Sequence, residues 1–362
     1  IEAQGVFKNL FKKTGNQIMP INSLFQLESM KDYQPEVLEK AKYLLMTPDL
    51  INYYLTGNMS GEKTICSTSQ MFNLEKGDWN YKVIEEYGFD KGMFPEIVEN
   101  KIVIGNTKNS LIPSLRDTSI DVASVASHDT ASALYMTESY TNEKTLFLSS
   151  GTWSLMGCYT EEPVLTDEAF DFGLTNETGY NSRNMYFKNI TGLYLIEKLI
   201  SQLEEENKKK YPYDLINELV ENTEAFKAQI DIDYEVFALE TEDFIKDLDD
   251  YLAKTGQEKI DNKEEYFRVI YESMVLNYSN LLKYLEESLD RKFTTIHIIG
   301  GGSQSELLCQ MIADGLNLEV LAGPQEASAL GNILAQLESL YGKDKAKELR
   351  KLAEESFELK RY

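Results

Sequence analysis

The final part of the chain alternates between strand and helix patterns, and this alternation constrains the fold most. Short apolar runs predict strands at 296–299 and 318–321, and apolar residues at helical spacing predict helices at 305–316 and 326–337. Three glycines at 300–302 separate the first strand from its helix, and Gly323-Pro324 separates the second. A β-α-β-α order is typical of an α/β domain whose ligands bind at the ends of strands.

Length and charge exclude some classes of protein. A chain of 362 residues is too long for one ordinary core, which predicts two domains. With 36 Lys and Arg against 60 Asp and Glu, the net charge of −24 argues against non-specific binding of nucleic acid. It does not exclude ATP, because backbone N–H groups and a metal ion can hold phosphates.

The numbers of cysteines and histidines indicate the cellular compartment and limit the kinds of metal site that are expected. Cys66, Cys158 and Cys309 are too far apart in sequence for a disulfide framework or a Cys-x-x-Cys metal pair, which favours a reducing cytoplasm. Only two histidines occur, so a His-rich zinc site is not expected. No stretch reaches the ~20 apolar residues of a membrane span, so we expect no membrane association. No feature of the sequence indicates an oligomeric state.

Asp129 lies at a predicted junction of strand, turn and helix. A small-residue strand is predicted at 119–126, a polar turn at 127–130 and a helix directly after it. An aspartate at such a junction can accept a proton from a substrate hydroxyl, and His128 beside it can hydrogen-bond a polar substrate. The alternative is that Asp129 only caps the helix, and the local pattern by itself favours this capping.

Two turns and one asparagine are candidates for contacts with phosphate or nucleotide. The turn at 149–152 can present N–H groups to a phosphate, although ordinary hairpins use the same residue types. The glycines at 300–302, followed by Ser303 and Gln304, either let a ligand approach the backbone or simply form a tight turn. They do not match the dinucleotide fingerprint, because position 305 is Ser. Asn189 precedes a helical run and is more readily explained as its cap than as a ligand contact.

Seven sequence runs, spread over nearly the whole chain, occur in the order and approximate spacing of the FGGY carbohydrate kinases. The runs are PINSLFQL (20–27), LLMTPDLINYYLTG (44–57), ASHDTASAL (126–134), FLSSGTWSLMG (147–157), TNETGY (175–180), FKNITGLYLIEK (187–198) and IIGGGSQSELLCQMIAD to AGPQEASALGNILAQ (298–336). HDTASA together with SSGTWS is typical of the rhamnulokinase-like branch, which the chain resembles most.

The resemblance implies an α/β fold of the actin-like (ribonuclease H-like) two-domain sugar kinase type. A sugar-binding first domain would span 1–140, a nucleotide-binding second domain 141–345 and a helical tail 346–362. Asp129 corresponds to the catalytic base, which takes a proton from the primary hydroxyl of the sugar, and His128 to a neighbour of the sugar. The residues that correspond to ATP contacts are Gly151, Thr152, Asn189, Gly301, Gly302 and Gln304. The implied reaction converts L-rhamnulose and ATP to L-rhamnulose 1-phosphate and ADP with Mg²⁺, and no residue of this chain is assigned as a metal ligand.

The sequence departs from the family pattern in three places. Ser305 and Cys309 stand where the family often has Asn. The opening strand with an Asp-x-Gly phosphate turn, whose Asp helps to hold the metal, has no counterpart. We therefore expect a first domain that is incomplete at its N-terminus and a chain that is inactive by itself. Two alternatives remain: a kinase for another ketose such as L-fuculose, and a non-catalytic nucleotide- or sugar-binding remnant.

Overall fold

The computed structural model describes residues 2–239, 241, 243–356 and 359–362, which form two compact units. Among these residues the first unit contains 2–141, 158–188 and 326–356, and the second contains 142–157, 189–325 and 359–362. The division falls within two strands, so the chain passes between the units several times. The domain boundaries expected at 140 and 345 stay a prediction, because units defined by contacts need not coincide with domains defined along the chain.

The longest α-helices among the described residues, α9, α13, α15 and α16, lie in the second half of the chain. Their bounds are α1 Glu2–Thr14, α2 Ser23–Tyr33, α3 Pro35–Lys40, α4 Thr47–Thr56, α5 Lys63–Cys66, α6 Tyr81–Glu86, α7 Asp129–Leu134, α8 Asp167–Phe172, α9 Tyr194–Asn207, α10 Tyr213–Asn222, α11 Glu235–Ala238, α12 Phe244–Lys254, α13 Tyr266–Leu289, α14 Glu306–Leu316, α15 Ala327–Tyr341 and α16 Lys343–Ser356.

The strands fall into short pairs and one larger sheet. Their bounds are β1 Gly61–Glu62, β2 Phe72–Asn73, β3 Asp78–Trp79, β4 Ile97–Val98, β5 Ile102–Asn106, β6 Asp121–Ser124, β7 Thr145–Ser150, β8 Trp153–Thr160, β9 Leu174–Thr178, β10 Asn184–Thr191, β11 Thr295–Ile299, β12 Glu319–Ala322 and β13 Lys360–Arg361.

In the first unit, a helical pair and a strand pair meet around the start of α7. β5 and β6 pair in antiparallel fashion, and α7 begins at Asp129, shortly after β6 ends. α15 packs so closely on α7 that a Cβ on Gly331 would lie 1.8 Å from the carbonyl oxygen of Ser132. Only glycine permits such an approach of two backbones. A separate hydrophobic core buries Leu10, Leu24, Leu27, Met71, Phe72, Trp79, Val83 and Ile84.

The second unit is built on a sheet with the strand order β13-β12-β11-β7-β8-β10. β11 runs parallel to both β7 and β12, while β8 is antiparallel to β7 and β13 is antiparallel to β12. The β11–α14–β12–α15 order predicted from the sequence is therefore confirmed. The long helix α13 buries a face of residues at helical spacing, namely Phe267, Ile270, Met274, Tyr278, Leu281 and Leu285.

Two local expectations are wrong. Asn189 does not cap a helix: it lies inside β10, and the next helix begins only at Tyr194. The expected helical tail ends at Ser356, and Lys360–Arg361 forms a short edge strand on β12 instead. In both places the formation of a strand outweighs the local helical pattern.

All three cysteines are free thiols in buried positions. Among the described residues, none of the helices combines the length and the apolar character that crossing a bilayer would require.

Candidate functional site

Asp129 stands at the junction that the sequence predicted, as the first residue of α7. Its side chain is 83% exposed, and its Oδ1 atom accepts a hydrogen bond from the amide of Thr130 at 2.7 Å. The Oγ of Ser328, on α15, donates to the Asp129 carbonyl at 3.0 Å. The residue borders a cavity of about 550 Å³ in the first unit. A carboxylate in such a position can accept a proton from a molecule bound in the cavity.

The capping alternative does not agree with the local geometry. His128, not Asp129, holds the N-cap position of α7, and the His128 side chain makes no capping hydrogen bond. The Asp129 carboxylate accepts from the amide and, at 3.4 Å, from the hydroxyl of Thr130, and the side chain is otherwise open to solvent. Its exposure and its limited bonding leave it available for a ligand.

His128 lies between two carboxylates of the first unit. Its Nδ1 atom is 3.2 Å from Oε2 of Glu177, and its Nε2 atom is 3.7 Å from Oδ1 of Asp129. Burial by itself would lower the pKa of His128, but the charges of Glu177, Asp129 and Glu62 together raise it above its ordinary value. The imidazole therefore lies between a carboxylate on each side.

Glu177 is the residue of this group that the sequence interpretation did not single out. It lies on β9, and its side chain is 9% exposed. Because Glu177 is 49 positions beyond His128, no local pattern links the two. Its place within the TNETGY run was the available signal.

In the second unit, the glycines at 300–302 pass directly over the end of β7. Gly300 has φ +81°, and Gly301–Gln304 form one 3₁₀ turn. A Cβ on Gly302 would lie 2.1 Å from the Oγ of Ser150, so the turn needs glycine there. Gly301, in contrast, is exposed and has open space where a Cβ would point. This arrangement leaves backbone accessible to a ligand beside Gly301.

The turn after β7 contacts the chain that leads into α9. The amides of Gly192 and Tyr194 both donate to the Thr152 carbonyl at 3.2 Å, and Leu193 donates to the Gly151 carbonyl at 2.9 Å. The structure therefore brings Gly151 and Thr152 together with the glycine turn, through Ser150. Asn189 lies on β10, shortly before this contact. Gln304 is exposed at the end of the 3₁₀ turn.

Ser150 joins the candidates as a residue that the sequence interpretation passed over. It is 1% exposed, and its Oγ atom has no hydrogen-bond partner among the described residues. A buried hydroxyl of this kind usually has a partner, so the position suits a polar ligand group.

The two positions where the chain departs from the family have structural roles. The Oγ of Ser305 accepts from the Leu308 amide at 3.2 Å and caps α14. The Sγ of Cys309 lies 3.7 Å from the Gly302 carbonyl, beneath the turn. Both residues support the glycine turn from the side of α14.

Among the residues that the structure describes, no three His, Cys, Asp or Glu side chains converge in a way that could hold a metal ion. Mg²⁺ is commonly bound through one or two carboxylates plus the phosphates of a nucleotide, and it keeps several waters. A protein-only cage is therefore not needed for a metal that arrives with a nucleotide.

Comparison with known families gives matches over both parts of the chain. Residues 1–135 match the N-terminal domain of the FGGY family of carbohydrate kinases, and residues 146–340 match its C-terminal domain. A rhamnulokinase of Oceanobacillus iheyensis is 33% identical over 98% of this chain and 74% of its own length. A rhamnulokinase of Lactiplantibacillus plantarum is 35% identical over 98% of this chain and 70% of its own length.

Solved structures show the same fold at low sequence identity. The xylulose kinase of Lactobacillus acidophilus superposes with a TM-score of 0.73 at 16% identity, covering 100% of this chain and 71% of that one. The glycerol kinase of Plasmodium falciparum, solved with ADP, gives a TM-score of 0.74 at 15% identity, covering 97% of this chain and 71% of that one. The expected actin-like two-domain fold class is confirmed by these neighbours.

Proposed function

Because this chain belongs to the FGGY family of carbohydrate kinases, we propose that it transfers a phosphoryl group from ATP to the primary hydroxyl of L-rhamnulose. The names of its curated relatives support this sugar. The observation that carries the proposal is the exposed Asp129 carboxylate at the start of α7, beside a buried imidazole.

In this proposal Asp129 is the base. Its carboxylate accepts the proton of the sugar hydroxyl while the oxygen forms its bond to the γ-phosphorus and the bond to ADP breaks. His128 holds a neighbouring hydroxyl of the sugar, and Glu177 fixes the orientation of the imidazole. Asp129 then releases the proton to solvent, since its side chain is exposed.

ATP contacts are assigned to the second unit. The exposed backbone at Gly301 and the turn Gly151-Thr152 can direct N–H groups at phosphate oxygens, while Gly302, Asn189 and Gln304 shape the surroundings. Mg²⁺ bound with the phosphates would neutralise charge on the group being transferred.

The decisive experiment measures formation of the sugar phosphate by the purified chain with L-rhamnulose, L-fuculose and other ketoses. We expect L-rhamnulose to have the highest kcat/KM, and Asp129→Asn to lower kcat by about 10² or more. Asp117→Asn, at an exposed aspartate of the same unit, is the matched control and should leave kcat unchanged. A higher kcat/KM for another ketose would change the proposed substrate. An Asp129→Asn variant that stays active would show that Asp129 is not the base.

The expectation from the sequence that this chain is inactive by itself is the competing prediction, and turnover of any ketose by the wild-type chain in the same assay would reject it. Calorimetry with ATP and with L-rhamnulose then tests the remaining alternative, a protein that binds nucleotide or sugar without catalysis. Binding of either ligand without turnover would favour the non-catalytic binding protein, and binding of neither would reject both functions.

A further inference from the structure

The turn that leads into Asp129, residues 125–128, is held by side chains rather than by a strand. Three successive amides of this turn each donate to a side-chain oxygen, two of them in the segment 62–64 and one on Tyr180. These bonds run from Ala126 to the Tyr180 hydroxyl at 3.0 Å, from Ser127 to Glu62 Oε2 at 2.9 Å and from His128 to Thr64 Oγ1 at 3.2 Å. Backbone amides outside a helix or sheet need such partners when buried.

The acceptors are themselves fixed. Glu62 is 1% exposed, and its carboxylate also accepts from the amides of Thr64 and Ile65 at 3.0 and 3.2 Å. The Thr64 hydroxyl donates to Glu62 Oε2 at 2.5 Å while it accepts from the turn. The Glu62 amide is in turn held by Asp49 Oδ1 at 2.9 Å. The carboxylate therefore has no freedom to follow a displaced turn.

We propose that Glu62, Thr64 and Tyr180 are positioning residues that place the Asp129 carboxylate for proton transfer. The inference rests on the proposed function and deepens it. None of the three needs to touch the sugar, because each acts through a backbone amide within three residues of Asp129. Ser328 holds the Asp129 carbonyl from the other side, so the backbone is fixed before and at the base.

Geometry explains why such bonds matter for rate. A base must lie within hydrogen-bond reach of its proton, and a displacement of about 1 Å can cost about 10² in rate. A purely structural role predicts something different: lost stability with unchanged kinetics in the molecules that remain folded. The test therefore compares variants that differ in the bond to the turn but not in burial.

Thr64 offers the sharpest variants. Thr64→Val keeps the shape but removes the hydroxyl that accepts from His128 and donates to Glu62, whereas Thr64→Ser keeps the hydroxyl and removes only a methyl group. Thr56→Val is the matched control, because Thr56 is also buried. Its hydroxyl accepts a hydrogen bond from the Asn58 amide at 3.1 Å and donates one to the Asn52 carbonyl at 2.7 Å. Its bonds lie in and just after α4, not at residues 125–128.

The first measurement does not depend on activity. Amide hydrogen exchange in the full chain is followed for peptides that cover 125–130. We expect Thr64→Val to speed exchange there by about tenfold or more, and Thr64→Ser and Thr56→Val to leave it near wild type. Tyr180→Phe should likewise speed the exchange of the Ala126 amide. Unchanged exchange in Thr64→Val and Tyr180→Phe would overturn the proposal, whether or not the chain phosphorylates a sugar.

The second measurement uses turnover with the best ketose. We expect Thr64→Val to lower kcat by about tenfold or more with little change in the KM for ATP, and Thr64→Ser to recover most of it. Equal loss in Thr64→Val and Thr56→Val would show a general effect on folding and overturn the positioning role. If the wild-type chain turns over no ketose, the proposed function fails, while the exchange data still decide whether these residues hold the turn.

Discussion

At residue 128, burial and charge act in opposite directions on one imidazole. Burial lowers the pKa of His128, but Glu177 at 3.2 Å outweighs it with help from Asp129 and Glu62, so the net pKa is raised. We expect Glu177→Gln to lower the pKa of His128 by about one pH unit or more. With only two histidines in the chain, ring signals in an NMR titration can be followed without crowding.

The same pair predicts how stability depends on pH. A raised pKa in the folded chain means that His128 contributes stability that is complete below its unfolded pKa of 6.5 and is lost as pH rises through the folded value. The stability difference between wild type and Glu177→Gln should therefore shrink as pH rises through that range. Glu272→Gln, at a carboxylate that is also 9% exposed and pairs with Arg268, should leave the pKa of His128 unchanged.

Asp49 gives a second pH-dependent expectation, of the same sign but caused by burial of a carboxyl group. Burial raises its pKa from 3.8 to about 7, so the folded chain binds this proton more tightly than the unfolded chain. Stability is therefore lost as pH rises from 3.8 to about 7. Asn cannot ionise but keeps an oxygen for the Glu62 amide, so the stability of Asp49→Asn relative to wild type should grow across this window.

Denaturant unfolding at several pH values measures this effect, with the exposed Asp117→Asn as control. A difference between Asp49→Asn and wild type that does not change with pH would mean that Asp49 keeps its ordinary pKa.

At the scale of elements, the contact between α7 and α15 depends on a missing side chain. Alanine at Gly331 would place its Cβ 1.8 Å from the Ser132 carbonyl, so one of the two helices must move. We expect Gly331→Ala to lower the free energy of unfolding by about 1–3 kcal/mol. Gly5→Ala, on α1, adds the same methyl group into open space and should stabilise by about 0.5–1 kcal/mol. Equal effects of the two substitutions on denaturant unfolding would contradict the close packing.

Which elements could be predicted depends on whether their signals are local. The end of α4 at Gly57, with φ +73°, and the buried face of α13 follow from capping and periodicity along a single segment. The edge strand β13 depends on pairing with β12, about forty positions earlier, which a local pattern does not contain. The place of Asn189 in β10 was also missed, because the residues after it resemble the start of a helix.

The candidate site divides in the same way. Asp129, His128 and the glycine turn stood out because their residue types and neighbours in sequence are characteristic. Glu62, Thr64, Tyr180 and Glu177 reach the turn 125–128 across roughly 50 to 65 positions, and a single sequence carries no record of that contact. The groups that act on a ligand are thus easier to predict than the groups that hold them.

At the scale of the whole molecule, candidate sugar and nucleotide residues belong to different compact units. We expect their binding to be separable by mutation. Gly302→Ala, whose Cβ would lie 2.1 Å from Ser150 Oγ, should weaken ATP binding by about tenfold or more while His128 keeps its pKa. Asp129→Asn should leave ATP affinity unchanged in calorimetry. Loss of ATP binding in Asp129→Asn would show that the two groups of residues are not independent.

The buried cysteines make this chain suited to site-specific labelling. Burial raises the pKa of Cys309 to about 12 and that of Cys66 well above its ordinary value, so the reactive thiolate is scarce near neutral pH. Cys158 is 1% exposed and is sterically protected from reagents. A cysteine introduced on the surface would be the preferred target of a maleimide dye while the native thiols stay in place. Two such positions, one in each unit, would let energy transfer between fluorophores report on their separation when nucleotide and sugar are added.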